Sequence, residues 1–438
     1  MKLLRRPSSR LALAAQHIVL IQLLLPSSSS MAAGETTVGE VLKRLTVVEI
    51  PSPPIPVEST VAREVRTLLA SGAALNEVPR GRPQQTGSFR VSVLPAGADT
   101  SRGWFRLRIT GDGSAELTAS HPHLLFTAFC RLRDEWASAP AGGFAQGRTI
   151  AMRLSWLEGT DGLFTGLPRL ARRYDPEATI RELARLGCSH VSVNVLASNA
   201  AYEQGPPGEI YSRFYSGSPD LDQFVSSDLT AGLYPPEYLS ANLELLRRNA
   251  MLALAYGLTP GLTVCSPRTM PEAFFEKYPY LRGARVDHPF RSYRPRYTAT
   301  LSHPVVRWHY AQLMRALMKE VPSLGFLYLW TNDSGSGFEY VSTLYAGRNG
   351  GAYLVREWKS NEDISRAAGE NVLRYLRLLR DAASEVNPAF RVVSALSWFG
   401  AEQETILNGL GKRLDLHLSP SDTTEPRRWA TVRSLPAR

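Results

Sequence analysis

The sequence predicts an α/β protein, a (β/α)8-type TIM barrel lacking its last two βα units and preceded by a small α+β domain. Three observations predict it. From Arg148 onward six apolar, strand-like runs alternate with helical stretches, which is the rhythm of a parallel sheet. No glycine-rich nucleotide fingerprint accompanies them, and that favours a barrel over a doubly wound sheet. A complete barrel has eight strands, yet only residues 420–438 remain after the sixth run. Either the barrel is truncated or the sequence was cut short.

Composition sets the outer bounds. The 438 residues allow two or three domains. With 44% hydrophobic and 21% charged residues the chain can bury a core, and collagen-like, disulfide-framework and multi-span membrane classes are excluded. Lys and Arg total 50 against 40 Asp and Glu, for a formal charge of +10. No nucleic-acid-binding motif accompanies that charge. An acidic ligand, such as a uronic acid or a polyanionic glycan, suits it equally well.

The elements follow in chain order. Residues 1–32 read as a signal peptide. Lys2, Arg5, Arg6 and Arg10 precede an apolar run from Leu11 to Leu25, and Ser30-Met31-Ala32 offers a small-x-small cleavage site. That places the protein in a secreted or periplasmic setting. The run is too short for a stable membrane span, and an uncleaved anchor is the alternative. Residues 33–58, with Pro51-Ser52-Pro53-Pro54-Ile55-Pro56, read as an extended linker. Residues 59–147 form the α+β domain. Val61 to Leu69 has helical spacing, and Phe89 to Val93 and Trp104 to Ile109 alternate as strands. Gly111-Asp112-Gly113 turns back into Ala115 to Ala119, and His123 to Trp136 is an amphipathic helix.

The barrel occupies 148–438. Its strands are Thr149 to Trp156, Val191 to Val195, Thr259 to Cys265, Gly325 to Thr331, Phe390 to Trp398 and Leu414 to Ser419. Between them run helices at Asp175 to Leu186, Tyr238 to Tyr256, Pro304 to Val321 and Ser360 to Asn387. Asp175-Pro176 supplies an N-cap and first position. Cys130, Cys188 and Cys265 sit among apolar neighbours and read as buried free thiols. No spacing suits a metal site or a cofactor, so neither is expected.

Barrel active sites lie at the C-terminal ends of the strands. The loops there are rich in Trp, Asn, Asp and Arg, a set that stacks on sugar faces and hydrogen-bonds hydroxyl groups. Candidate substrate-binding residues are Trp156, Glu158, Asp161, Asn194, Asn199, Arg268, Trp330, Asn332, Arg348 and Trp398. Cleaving a glycosidic bond takes two carboxyl groups flanking it. Asp333, after Asn332, is the candidate acid, and Glu158, Asp161, Glu339 and Asp422 are its candidate partners, with Asp422 preferred. A turn or helix-capping role is the alternative for Asp333.

The region from Thr149 to about Asp422 resembles the catalytic barrel of family 67 α-glucuronidases, and more distantly that of family 20 β-hexosaminidases. The stretches that carry it are Trp156 to Gly162, Asp175 to Ala200, Leu233 to Pro267, Gly325 to Gly337 and Tyr345 to Gly350. The resemblance implies a secreted glycoside hydrolase acting on an oligosaccharide or polysaccharide, with a uronic acid as the acidic sugar. It also implies departures. The family's acid is a glutamate two positions after the asparagine, where this chain has Ser334, so the carboxylate is carried by Asp333. The family's seventh-strand carboxylate has no counterpart. A non-catalytic glycan-binding or truncated relative is the second expectation.

Overall fold

The structure, a computed structural model, describes residues 35–95, 102–152, 158–159, 175–193, 195–197, 219–287, 292–333, 335–344, 347–351 and 360–417. Two six-stranded sheets organise them.

The first sheet begins earlier than expected. A short helix α1 (Val38–Leu42) opens on a capping box in which Thr37 and Glu40 satisfy each other's backbone N–H groups. Strand β1 (Val47–Ser52) follows, then α2 (Pro56–Arg66), β2 (Ala74–Pro79) and β3 (Ser88–Val93). Next come β4 (Gly103–Ile109), β5 (Ala115–Ala119), α3 (Pro122–Asp134) and β6 (Arg148–Met152). The strand order is β2-β1-β3-β5-β4-β6. Thus, of the expected linker 33–58, the described residues 35–58 are not a linker. They supply an interior strand, paired in parallel with both β2 and β3, in which Val48 and Ile50 are fully buried. The prolines misled because they punctuate the element's end. Pro56 occupies the first turn of α2, where its fixed φ and missing N–H cost nothing.

The second difference lies at the domain boundary. The expected first barrel strand, Thr149 to Trp156, overlaps β6, which pairs antiparallel with β4. Ile150 lies opposite Phe105, and both Ile150 and Met152 pack against the main core. An alternating strand pattern carries no information on which sheet receives it, so sequence alone put this strand in the wrong one. The first strand of the second sheet is instead β7 (Glu158–Gly159).

The second sheet comprises β7, β8 (His190–Ser192), β9 (Thr259–Cys265), β12 (Phe326–Trp330), β13 (Arg391–Ala395) and β14 (Leu414–His417). All are parallel and stand side by side in sequence order. This sequential order differs from the reversing order of a doubly wound sheet. Among the described residues β7 and β14 are its two edges. The connecting helices are α4 (Pro176–Arg185), α5 (Pro236–Ala255), α7 (Pro304–Glu320), α8 (Asn361–Ser384) and α9 (Gln403–Gly409). Asp175 caps α4 through Oδ1, which accepts from the N–H groups of Glu177 and Ala178. Between β9 and α7 the chain inserts α6 (Glu272–Lys277) and an antiparallel hairpin, β10 (Arg282–Arg285) and β11 (Tyr297–Ala299). The sequence reading passed over both.

Two glycines permit close approaches. Gly261 on β9 lies in register with Phe326 on β12, and a Cβ there would overlap the Phe326 ring. That ring crosses the bare backbone and meets His190 of β8 edge-on, 5.5 Å between centroids. Gly257 ends α5 at φ 81°, against the Pro122 carbonyl at the start of α3. There the two halves of the chain join. Thr127 of α3 donates to the Ala184 carbonyl of α4 (2.9 Å), Arg181 pairs with Glu64 of α2, and Tyr256 meets the Phe126 ring edge-on at 4.9 Å. One hydrophobic core runs through both. Cys130, Cys188 and Cys265 are buried free thiols, and burial pushes them up to about 11, 11 and 12. Among the described residues no helix is long and apolar enough to cross a membrane.

Two outcomes follow from this packing. Gly261→Ala is expected to cost about 1–3 kcal/mol in urea denaturation, and adding Phe326→Leu should recover part of it by trimming the ring. The second concerns acid. Burial lowers His123 and His190 to about 4 from the ordinary 6.5. The unfolded chain therefore binds protons that the folded chain refuses, and stability is lost as pH falls from about 6.5 toward 4. His190→Gln should flatten that slope in denaturation midpoints measured across the window.

Candidate functional site

Three strand ends build the site. In β12 the side chains alternate. Leu327 and Leu329 are fully buried, while Tyr328 and Trp330 are half-buried on the opposite face. The last residue, Trp330, lies in register with Cys265 at the end of β9. Trp398, in the short turn after β13, brings its ring to 5.2 Å from that of Trp330, tilted by 37°. Asp333 follows three residues after Trp330, and its Oδ2 accepts the indole N–H at 3.0 Å. A half-exposed carboxylate thus stands beside a pair of half-exposed aromatic faces.

Asn332 explains how the group is held. Its backbone is left-handed, φ 54°, a conformation that asparagine tolerates better than most residues. Its side chain is buried and both amide atoms are used. Nδ2 donates to the Trp398 carbonyl (2.8 Å) and Oδ1 accepts from the Phe338 N–H (3.1 Å). The expected substrate ligand is therefore engaged with the protein. The loop after β9 is fastened to the same turn. Thr269 N–H donates to the Gly335 carbonyl (2.8 Å), and Gly337 N–H to the Pro267 carbonyl (3.0 Å).

The two expected sugar-binding arginines are also tied to protein partners. Arg268 is almost fully buried. Its backbone N–H donates to Asp220 Oδ2 (3.1 Å) and its guanidinium to the Gln223 amide oxygen. Arg348 donates to the Tyr340 carbonyl (3.0 Å) and to Ser365 Oγ (2.5 Å), and it pairs with Glu402. Glu402 is fully buried and accepts from the N–H and hydroxyl of Ser342. Of the other candidates, the backbone of Glu158 lies in β7. Trp156, Asp161, Asn194, Asn199 and Asp422 lie outside the described residues.

Sequence reasoning missed the braces beneath this surface. Asp220 is buried and accepts from the N–H groups of Leu221 and Arg268 and from the Tyr310 hydroxyl. Burial raises its pKa, and the hydrogen bonds offset part of that cost. Tyr375 of α8 reaches Ser266 at the end of β9 and meets the Tyr310 ring edge-on at 5.0 Å. Glu339, expected as a possible partner carboxylate, is instead held by Thr300, by the N–H and hydroxyl of Ser302, and by the Gly351 N–H, with burial raising its pKa. The Asp220-to-Gln223 spacing is a capping-box pattern and was the one signal available. The tyrosines gave none, because they reach the site from helices distant in sequence.

Comparisons with known proteins bear on the fold. No protein-family model matches the chain, and no curated protein does. Among solved structures it is similar to a family 138 glycoside hydrolase targeting pectin rhamnogalacturonan II, with TM-score 0.50 and 9% identity over 85% of this chain and 48% of that one. It is similar to a family 89 glycoside hydrolase from Clostridium perfringens, with TM-score 0.47 and 13% identity over 80% of this chain and 39% of that one. It is also similar to an N-acetyl-β-hexosaminidase from Streptomyces plicatus, with TM-score 0.43 and 14% identity over 86% and 70%. The neighbours are glycoside hydrolases, and the likeness to the family 138 enzyme is one of fold. The chain spans less than half the length of the first two.

Arg348→Ala separates bracing from sugar binding. Removing the cation leaves the buried Glu402 with less compensation and the Tyr340 carbonyl without its donor. A loss of about 1–3 kcal/mol is expected in thermal or urea unfolding, with glycan affinity in titrations essentially unchanged.

Proposed function

We propose that this chain is a carbohydrate-active protein of the glycoside hydrolase type, binding an oligosaccharide or polysaccharide across the Trp330–Trp398 face. The observation that carries the reading is the junction of that aromatic pair with the Asp333 carboxylate at the C-terminal end of a parallel, sequentially ordered sheet. Aromatic rings take the apolar faces of pyranoses, and a carboxylate beside them is within reach of a glycosidic oxygen. Asp333 is the proposed proton donor. The sequence assigns Asp422 as the second carboxylate that hydrolysis requires.

The finer parts of the reading rest on the sequence. The similarity of Thr149 to Asp422 to family 67 α-glucuronidases and the charge of +10 support a uronic-acid-containing glycan. The basic, apolar and small-residue segments of 1–32 support export. Glycan binding without hydrolysis is the second reading, and one observation favours it. Asp220, Glu339 and Glu402, the buried carboxylates around the β9 and β12 loops, each accept hydrogen bonds from protein donors.

The experiment is an assay on aryl glycosides and glucuronyl-oligosaccharides, with binding followed by tryptophan fluorescence. Asp333→Asn should retain binding and lose turnover by a factor of about 10²–10⁴. Substrates with activated leaving groups should suffer least. Loss of turnover together with a lowered melting temperature on every substrate would assign Asp333 to the turn alone. Saturable binding with no turnover in the unmodified chain would establish the second reading.

A further inference from the structure

We infer that Asn332 is a positioning residue that sets the aromatic pair from behind and does not touch the sugar. This inference rests on the reading of the Trp330–Trp398 face as the glycan-binding surface.

The two tryptophans belong to different strands. Trp330 ends β12 and Trp398 lies just beyond β13. Backbone pairing between these strands extends from Phe326↔Arg391 to Leu329↔Ser394, so the ladder stops short of both rings. What fixes Trp398 relative to Trp330 is therefore found above the ladder. The Trp398 carbonyl accepts two hydrogen bonds, from Asn332 Nδ2 at 2.8 Å and from Thr343 Oγ1 at 2.6 Å. Asn332 is two residues from Trp330, and its left-handed backbone reverses the chain so that Asp333 turns back to the indole N–H of Trp330. Its Oδ1 is meanwhile held by the Phe338 N–H, on the far side of the same loop. One buried amide thus links the end of β12, the carbonyl of Trp398 and the returning loop.

Each amide atom is already bonded to the protein, and with almost no exposed surface the remaining N–H and lone pair are shielded from a hydroxyl group. Its influence on a ligand passes through the two rings and through the carboxylate its backbone aims. Asp at this position would keep the acceptor for Phe338 and set an oxygen against the Trp398 carbonyl. Thr343 offers an independent handle, since it is exposed, lies on a different part of the loop and bonds the same carbonyl oxygen.

The test needs no sugar. Two indoles this close couple their transitions, so the pair contributes a near-ultraviolet circular dichroism signal, defined as the difference between the unmodified protein and Trp398→Phe. Asn332→Asp should lose most of that signal while keeping the far-ultraviolet spectrum. Thr343→Val should lose part of it, and the double variant should lose no more than the larger single loss allows. If Asn332→Asp is poorly folded, Thr343→Val alone decides. An unchanged pair signal in Thr343→Val, or no pair signal in the unmodified protein, would overturn the inference. Glycan titrations form the separate arm. Both variants should weaken binding in parallel with their loss of pair signal. Weaker binding in Asn332→Asp with an intact pair signal would make the amide a direct sugar ligand and overturn the inference. A pair signal that responds as expected in a protein that binds no glycan would retain the clamp and remove the functional reading instead.

Discussion

The β9–β12 contact at Gly261 and Phe326 is the constraint on which the site depends. A missing side chain on one strand receives the ring of the next, and that ring extends to His190 on the strand beyond. A slip of one residue would turn the side chains of β12 to the other face. It would exchange the face carrying half-buried Tyr328 and Trp330 for the one on which Leu327 and Leu329 are fully buried. A slip of two would set Phe326 against Thr263, where a side chain already stands. The register places Trp330 beside Cys265, and so it carries the loop after β9 up against the turn at 331–337. The aromatic surface at one end of the sheet therefore depends on a packing event near the other end.

Around that surface the protein uses buried carboxylates as loop fasteners. Asp220, Glu339 and Glu402 each gather donors from segments far apart in sequence, and Glu58 does the same in the first domain. Glu58 accepts from the Ile55 and Val93 N–H groups and pairs with Arg80. Loops carry backbone N–H groups without ladder partners, and a carboxylate with several lone pairs satisfies two or three of them at once. Burial makes each carboxylate costly alone, so its value lies in the set of donors it holds. For this reason acidic residues in these loops are poor guides to chemistry. The one placed at the aromatic face, Asp333, differs by being half-exposed and hydrogen-bonded to the indole of Trp330.

The sequence revealed strands by their apolar runs and helices by their period and their caps. Thr259–Cys265 and Ala115–Ala119 coincide with what the pattern predicts, because each is bounded by glycine or turn residues. Pattern does not encode partnership. Arg148–Met152 was legible as a strand, but its antiparallel seat beside β4 was not. The proline cluster concealed β1 because Pro51 lies within the strand and the others follow it closely. At the site, residue type was legible and role was not. Trp330, Trp398 and Asp333 converge, whereas Asn332, Arg268 and Arg348, polar residues of the kind that bind sugars, are engaged internally. Hydrogen-bond partners contributed by residues tens of positions away decide between those roles, and one chain read in order does not display them.

The order of strands also has a temporal meaning. Strands β1 to β6 make up the first sheet, whose last strand, β6, arrives before any described strand of the second sheet has been made. The emerging chain can finish this unit first, and its helices α2 and α3 then offer a formed surface for α4 and α5 to settle on. Thereafter β8, β9, β12, β13 and β14 each join the second sheet at the edge left by the strand before them in it. No strand has to insert between two already paired. Growth of this kind is vectorial and needs no unzipping, so the direction of synthesis and the direction of assembly are the same. The aromatic pair is then among the late events, because it waits for β13 to dock and carry Trp398 into place.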